Sequence, residues 1–228
     1  MSAIEPQTAE LSERLRDLFP PHALTAELRG AGDASTLLPA EAQCVAKAVS
    51  KRQQEFAAGR SCARLLLAQF GIRGFALRMA DDRQPLWPDA VVGSITHTKK
   101  FCAVVVAEKT RLSALGIDSE ISGSVKPELW QTICTAAERD WLATLAAAQQ
   151  AAAATLLFSA KEAFYKAQYP LMRQKLHFQD ATVEAQWGSQ WGSFTVRAPG
   201  ALAAQREGGV QGRYLFHDQF VTTGIAFA

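Results

Sequence analysis

Cysteine is too sparse and too scattered to organise this chain: Cys44, Cys62, Cys102 and Cys134 stand far apart, with no C-x-x-C pair. That spacing disfavours both a structural zinc site and a disulfide framework, and the four read as reduced, mostly packed thiols. Excess charge of either sign is missing too. Lys+Arg number 24 against 22 Asp+Glu, a net of +2, short of the basic balance that generic nucleic-acid binding requires, so any anion site has to be local. No apolar run reaches the length needed to span a bilayer, and residues 1–7 carry no basic segment leading into an apolar core. The expectation is a cytoplasmic protein with neither a membrane nor a nucleic-acid partner.

What is present is enough apolar material for a sizeable interior, with 48% hydrophobic residues in 228, room for one large domain or two of roughly 100 residues each. Residues 8–19 read as a short amphipathic helix and 30–35 as a Gly/Asp/Ser loop. Residues 41–69 are rich in Ala, Leu, Gln, Lys and Arg without proline, with Gly59 as a candidate break and Gly71 as a C-terminal cap. After the proline-rich stretch 83–88, residues 91–96 and 101–107 read as a β-hairpin around a polar turn, and 114–120 as a third strand. Helices are expected over 138–148 and 155–168, joined by an Ala-rich stretch that is either helix or link, with Pro170 stopping the second. Strand-like runs at 177–184, 191–197, 213–219 and 221–228 suggest an antiparallel sheet. The order helices, strands, helices, strands fits two related halves meeting near residue 113, here 1–113 and 114–228.

Four segments hold candidate chemistry. In Gly116-Ile117-Asp118-Ser119-Glu120 the alternation of a strand puts Asp118 and Glu120 on one face. Two carboxylates side by side are comfortable around a divalent cation such as Mg²⁺, although an exposed polar strand face explains the pair equally simply. On the helix over 155–168, Glu162 and Lys166 are spaced i and i+4 and share a face; they form either a solvated pair or a third carboxylate with a cation for a phosphate. Thr96 and His97 close a strand and offer hydrogen-bond donors. Lys47, Lys51, Arg52, Arg60 and Arg64 face a single acid, Glu55, in their interval; they form a solvated helix face or a phosphate grip.

Taken together, G-R-S-C-A-R at 59–64, R-Q-P-L-W-P at 83–88, S-I-T-H at 94–97, G-I-D-S-E at 116–120 and F-S-A-K-E-A-F-Y-K at 158–166 resemble the signature of 4'-phosphopantetheinyl transferases of the surfactin-synthetase (Sfp-like) class. The branch they look most like is that of the enterobactin synthase component D. The resemblance runs from about residue 51 to 169, and the order of several motifs is more specific than any one. It implies an α+β fold, a pseudo-dimer of two similar subdomains with coenzyme A in the cleft between them. It also implies Mg²⁺-dependent transfer of the phosphopantetheine arm of coenzyme A to a serine of an apo acyl or peptidyl carrier protein, with release of adenosine 3',5'-bisphosphate, by a monomer. Carried over by residue, Asp118, Glu120 and Glu162 would hold Mg²⁺ and Glu162 would activate the serine. His97 and Lys166 would meet the coenzyme A phosphates, Thr96 would lie against the nucleotide, and Arg52, Arg60 and Arg83 would reach its outer phosphates. Where many relatives carry Gly-Lys-Pro this chain has Arg83-Gln84-Pro85, and Ser119 replaces a residue that is often apolar.

Two other readings use the same parts. A metal-dependent phosphohydrolase would place Asp118, Glu120 and Glu162 around the same cation. A nucleic-acid-binding module would use the basic stretch 47–64, against the near-neutral balance and the lack of interleaved aromatics.

Overall fold

A computed structural model describes residues 8–188, 190–198 and 208–228, so the seven N-terminal residues read above lie outside it. The chain divides into two compact units, Met1–Ser113 with Ala228, and Ala114–Phe227.

The first unit holds a four-stranded antiparallel sheet in the order β1-β2-β4-β3, formed by β1 (Glu10–Leu11), β2 (Leu24–Arg29), β3 (Val91–Thr98) and β4 (Phe101–Glu108). The expected hairpin is β3–β4, in register from Val91↔Glu108 to Thr98↔Phe101. Its two-residue turn places Lys100 at φ 58°, the left-handed conformation that such a tight connection requires. The helix expected over 8–19 is only one turn long, α1 (Glu13–Arg16), because Glu10 and Leu11 pair with Glu27 and Ala26 instead. β2 escaped the sequence reading because its burial does not alternate: Thr25, Ala26, Glu27 and Leu28 are all buried, and Glu27 is satisfied inside by Ser12 and Arg29.

The helical stretch of the first unit is two helices, α2 (Pro39–Cys44) and α3 (Ser50–Gln69). The break falls at residues 45–49, and Gly59 lies inside α3, where its missing side chain accommodates Ile95. Ala58, Cys62, Ala63, Leu66 and Leu67 form the stripe that α3 buries on the sheet. The thiols of Cys62 and Cys102 meet there, and that contact together with burial pushes the Cys62 pKa up, which fits a packed, unreactive pair. Among the described residues all four cysteines are free, and three are buried.

The second unit is built on a five-stranded antiparallel sheet in the order β5-β9-β8-β7-β6: β5 (Ala114–Ile121), β6 (Thr182–Ala185), β7 (Trp191–Arg197), β8 (Val210–His217) and β9 (Phe220–Phe227). Three helices accompany it, α4 (Pro127–Ile133), α5 (Ala136–Thr144) and α6 (Ala147–Met172). α4 went unforeseen; Pro127 opens its first turn, where a missing N–H costs nothing. α6 is one continuous helix. The Ala-rich stretch belongs to it because Ala153, Ala160, Ala163 and Ala167, with Leu156 and Phe164, form its buried stripe against β5 and β9. Pro170 does not stop it; it sits in the last turn and removes a single hydrogen bond, and the helix ends at Arg173, left-handed at φ 54°. The run at 177–184 splits into a 3₁₀ turn, Phe178–Asp180, followed by β6. No helix among the described residues is long and apolar enough to cross a membrane.

Candidate active site

In the second unit the geometry starts with a glycine. A side-chain carbon on Gly116 would collide with the carbonyl oxygen of Ala163, so only glycine lets α6 lie this close to β5. That approach brings Lys166 to β5, where its Nζ donates to Asp118 Oδ1 at 2.7 Å and to the Ile117 carbonyl at 3.2 Å. Strand alternation does the rest. Asp118, opposite Thr223 in the β5–β9 register, is 4% exposed, and Glu120 follows on the same face. Ser119 points the other way and shares a buried hydrogen bond with Thr222 at 2.8 Å, so its hydroxyl is a cross-strand tie outside the carboxylate face.

Three carboxylates and one ammonium now act on each other. Burial, and then the charges of Asp118 and Glu162, push the Glu120 carboxyl up to about 7, with Lys166 pulling against them. The Glu162 carboxyl is raised by burial and by Asp118, again opposed by Lys166. Asp118, Glu120, Glu162 and Lys166 are thus close enough for their charges to act on one another. Among the described residues no group of three His, Cys, Asp or Glu side chains is arranged to hold a metal ion. The donor chemistry still suits Mg²⁺: the set offers only hard oxygens, and mutual repulsion that a divalent cation would relieve.

Beside Glu162 a cavity of about 270 Å³ opens between Phe164, Tyr165, Leu176 and Phe178. Sequence reasoning missed what lies behind it. Lys161 is 3% exposed and gives its three protons to Glu138 Oε2 at 2.7 Å, the Ile133 carbonyl at 2.8 Å and the Phe178 carbonyl at 2.8 Å. Glu138 in turn accepts from the backbone N–H groups of Thr135 and Val183, tying α5, α6 and β6 at one buried point. A lysine next to an acid on a helix reads as solvated; only its three-dimensional neighbours identify it as interior.

In the first unit, Arg52 and His97 are adjacent. Arg52 Nη1 lies 2.5 Å from His97 Nε2; because a guanidinium can only donate, that nitrogen accepts and the imidazole proton sits on Nδ1, which faces Glu55 Oε2 at 3.8 Å. Glu55 also neutralises Arg52 at 3.6 Å and Lys51 at 3.9 Å. Thr96 is 2% exposed, on the opposite face of β3 from exposed His97. Arg83 stands at an exposed turn with φ 70°, its N–H bonded to the Ala80 carbonyl. Arg60 is 5% exposed, stacks on Phe56 at 3.5 Å and donates to the Leu77 carbonyl at 3.0 Å. Burial lowers its pKa to about 10, and its place in the interior suits bracing the Leu77 segment.

Comparison with known proteins gives these features a family. Residues 40–107 match the 4'-phosphopantetheinyl transferase N-terminal domain, and residues 114–215 match the 4'-phosphopantetheinyl transferase superfamily. The chain is 38% identical over 199 residues to the 4'-phosphopantetheinyl transferase Npt of Nocardia iowensis, covering 83% of this chain and 89% of that one. It is 39% identical over 198 residues to the 4'-phosphopantetheinyl transferase Svp of Streptomyces mobaraensis, covering 85% and 80%. Similarity to the enterobactin synthase component D of Salmonella typhimurium is 40% over 119 residues, about half of each chain. With both units matched and relatives covered over most of their length, this chain belongs to the 4'-phosphopantetheinyl transferase superfamily and is a transferase.

Proposed function

We propose that the protein transfers the 4'-phosphopantetheine moiety of coenzyme A to a serine of an apo acyl or peptidyl carrier protein. The observation that carries this reading is the coupled group on β5 and α6, in which Glu162 sits beside Lys166 with its carboxyl raised. A raised carboxyl pKa moves a weak base towards the pH at which it must work.

In the reaction, the serine oxygen forms a bond to the phosphorus that bears the pantetheine arm. The bond from that phosphorus to the bridging oxygen breaks, and adenosine 3',5'-bisphosphate leaves with the electron pair. Glu162 accepts the serine proton, and Lys166 places a fixed positive charge and a donor at the phosphate oxygens. From the first unit, His97 is the proposed phosphate contact, with Arg52 and Arg83 for the outer phosphates and Thr96 against the nucleotide. Arg52 already orients His97. Asp118, Glu120 and Glu162 are the residues that would hold Mg²⁺, which when bound supplies charge neutralisation for a diphosphate.

Intact-mass measurement of an apo carrier domain after incubation with protein, coenzyme A and Mg²⁺ tests the reading. One added phosphopantetheine per carrier is expected. Release of inorganic phosphate from small phosphate esters with the carrier unmodified would favour a phosphohydrolase instead.

A further inference from the structure

Gly116 sets how closely α6 approaches β5, but a steric limit does not fix where the helix stands along the strand. The stripe that α6 buries on β5 and β9 includes Ala160, Ala163 and Ala167, and methyl groups make shallow ridges that resist sliding weakly. The positional lock is polar. Thr223 Oγ1 donates to the Ser159 carbonyl at 2.9 Å, and Ser159 Oγ lies 2.9 Å from the same Thr223 oxygen. A hydroxyl has one proton, so with that of Thr223 committed to the carbonyl, Ser159 is the donor in the second bond. Both residues are fully buried, where a hydrogen bond is stronger than in water. Thr155, one turn earlier on α6, shows the ordinary alternative, its hydroxyl bonding back to Ala151 of its own helix at 2.8 Å. Ser159 reaches the sheet instead.

Both ends of this tie belong to the candidate site. Thr223 stands directly opposite Asp118 in the β5–β9 register, and residues so paired share a face of the sheet. Ser159 precedes Glu162 by three residues on α6, the spacing of neighbours on one helix surface. The helix that carries Glu162 is therefore bonded to the sheet at the position facing Asp118. We propose that Thr223 is a positioning residue: by bonding Ser159 it sets the axial register of α6 on the sheet, and with it the spacing of Glu162 from Asp118 and Glu120. The inference rests on the proposed role of those three carboxylates toward Mg²⁺, a small ion that tolerates little departure from octahedral geometry. The adjacent residue provides the contrast. Thr222 Oγ1 is bonded to Ser119 and to His217 at 2.8 Å each, but these ties run within the sheet, whose register the β5–β9 and β8–β9 ladders already fix.

Thermal unfolding with coenzyme A present and Mg²⁺ titrated reads the arrangement without turnover. In Thr223→Val the Mg²⁺ concentration giving half the full rise in midpoint is expected to increase about tenfold, the scale of losing a group that orients metal ligands. Ser159→Ala, which keeps the bond to the carbonyl, shifts it by less, and Thr223→Ser, which keeps both hydroxyl bonds, leaves it unchanged. In transfer assays Thr223→Val lowers kcat while the KM for the carrier stays as in the wild type. Thr222→Val lowers the thermal midpoint but keeps the wild-type Mg²⁺ dependence. A wild-type Mg²⁺ dependence in Thr223→Val overturns the positioning role, as does an equal shift in Thr222→Val, which would make the effect one of stability alone. Should Thr223→Val not fold, Ser159→Ala decides by the same measurement, and no shift there overturns the role. A wild-type midpoint that does not respond to Mg²⁺ at all overturns the metal reading of the three carboxylates, and the positioning role with it.

Discussion

Lys161 and Lys166 stand on the same helix, little more than one turn apart, and have opposite surroundings. Lys161 is sealed in the interior with as many acceptors as it has protons, and its carboxylate partner Glu138 is equally satisfied. Lys166, with a side chain 28% exposed, bonds one of the three carboxyls around it, Asp118, while the Glu120 and Glu162 carboxyls, raised by burial and then by the charge of Asp118, stay raised in spite of it. Charge complementarity completed inside the fold gives stability and no chemistry. Charge left in surplus at a half-open surface has to be completed by something that binds, and that is where function is expected.

The sharpest way to break this contrast is to exchange the consequences of substitution. Lys161→Met strands Glu138 in the interior, and we expect a loss of about 3–5 kcal/mol in chemical denaturation, the usual result of removing one partner of a buried pair. Glu162→Gln has the reverse profile: transfer falls by at least about 100-fold in the intact-mass assay, as for loss of a general base, while coenzyme A binding remains measurable and the folded state is no less stable. A normal turnover number for Glu162→Gln would end its assigned role, and a stable Lys161→Met would show that the interior point is dispensable. Gly116→Ala tests what brings the two regions onto one helix. It forces α6 away from β5 and is expected to cost about 1–3 kcal/mol, the range for overpacking, and to loosen the Lys166–Asp118 contact.

How much of this was legible beforehand follows the same line. The order of elements, the hairpin around Lys99 and Lys100, and the shared strand face of Asp118 and Glu120 are set by local periodicity, which a sequence displays directly. β2 and the continuity of α6 through Pro170 were not legible, because tertiary packing overrides local signals there: a buried Glu27 inside a strand, and a proline placed where only one hydrogen bond is lost. Arg60 shows the same limit among the site residues. In G-R-S-C-A-R it looks like a phosphate ligand, and only the Phe56 ring and the Leu77 carbonyl reveal its interior setting. Gly116 stood in the motif from the start, but its reason, the Ala163 carbonyl, belongs to a helix far along the chain.

The smallest expected effect sharpens the contrast most, because it reads the surplus charge itself. In the folded protein the Glu120 carboxyl titrates at about 7, against 4.5 as its ordinary value, so on raising the pH the unfolded chain gives up this proton first. The contribution to stability is therefore complete below about pH 4.5 and is lost as the pH rises through 7, with Glu162 acting in the same direction. In thermal unfolding without divalent cations, we expect the midpoint to fall by a few degrees between pH 5.5 and pH 8, and Glu120→Gln to flatten that slope. Adding Mg²⁺ at pH 8 should restore the lost degrees in the wild type and less in Glu120→Gln, since a cation held by these oxygens favours their ionised form. A pH slope identical in the two proteins would mean that the carboxylates of β5 carry no surplus, and the distinction between the two lysines would lose its physical basis.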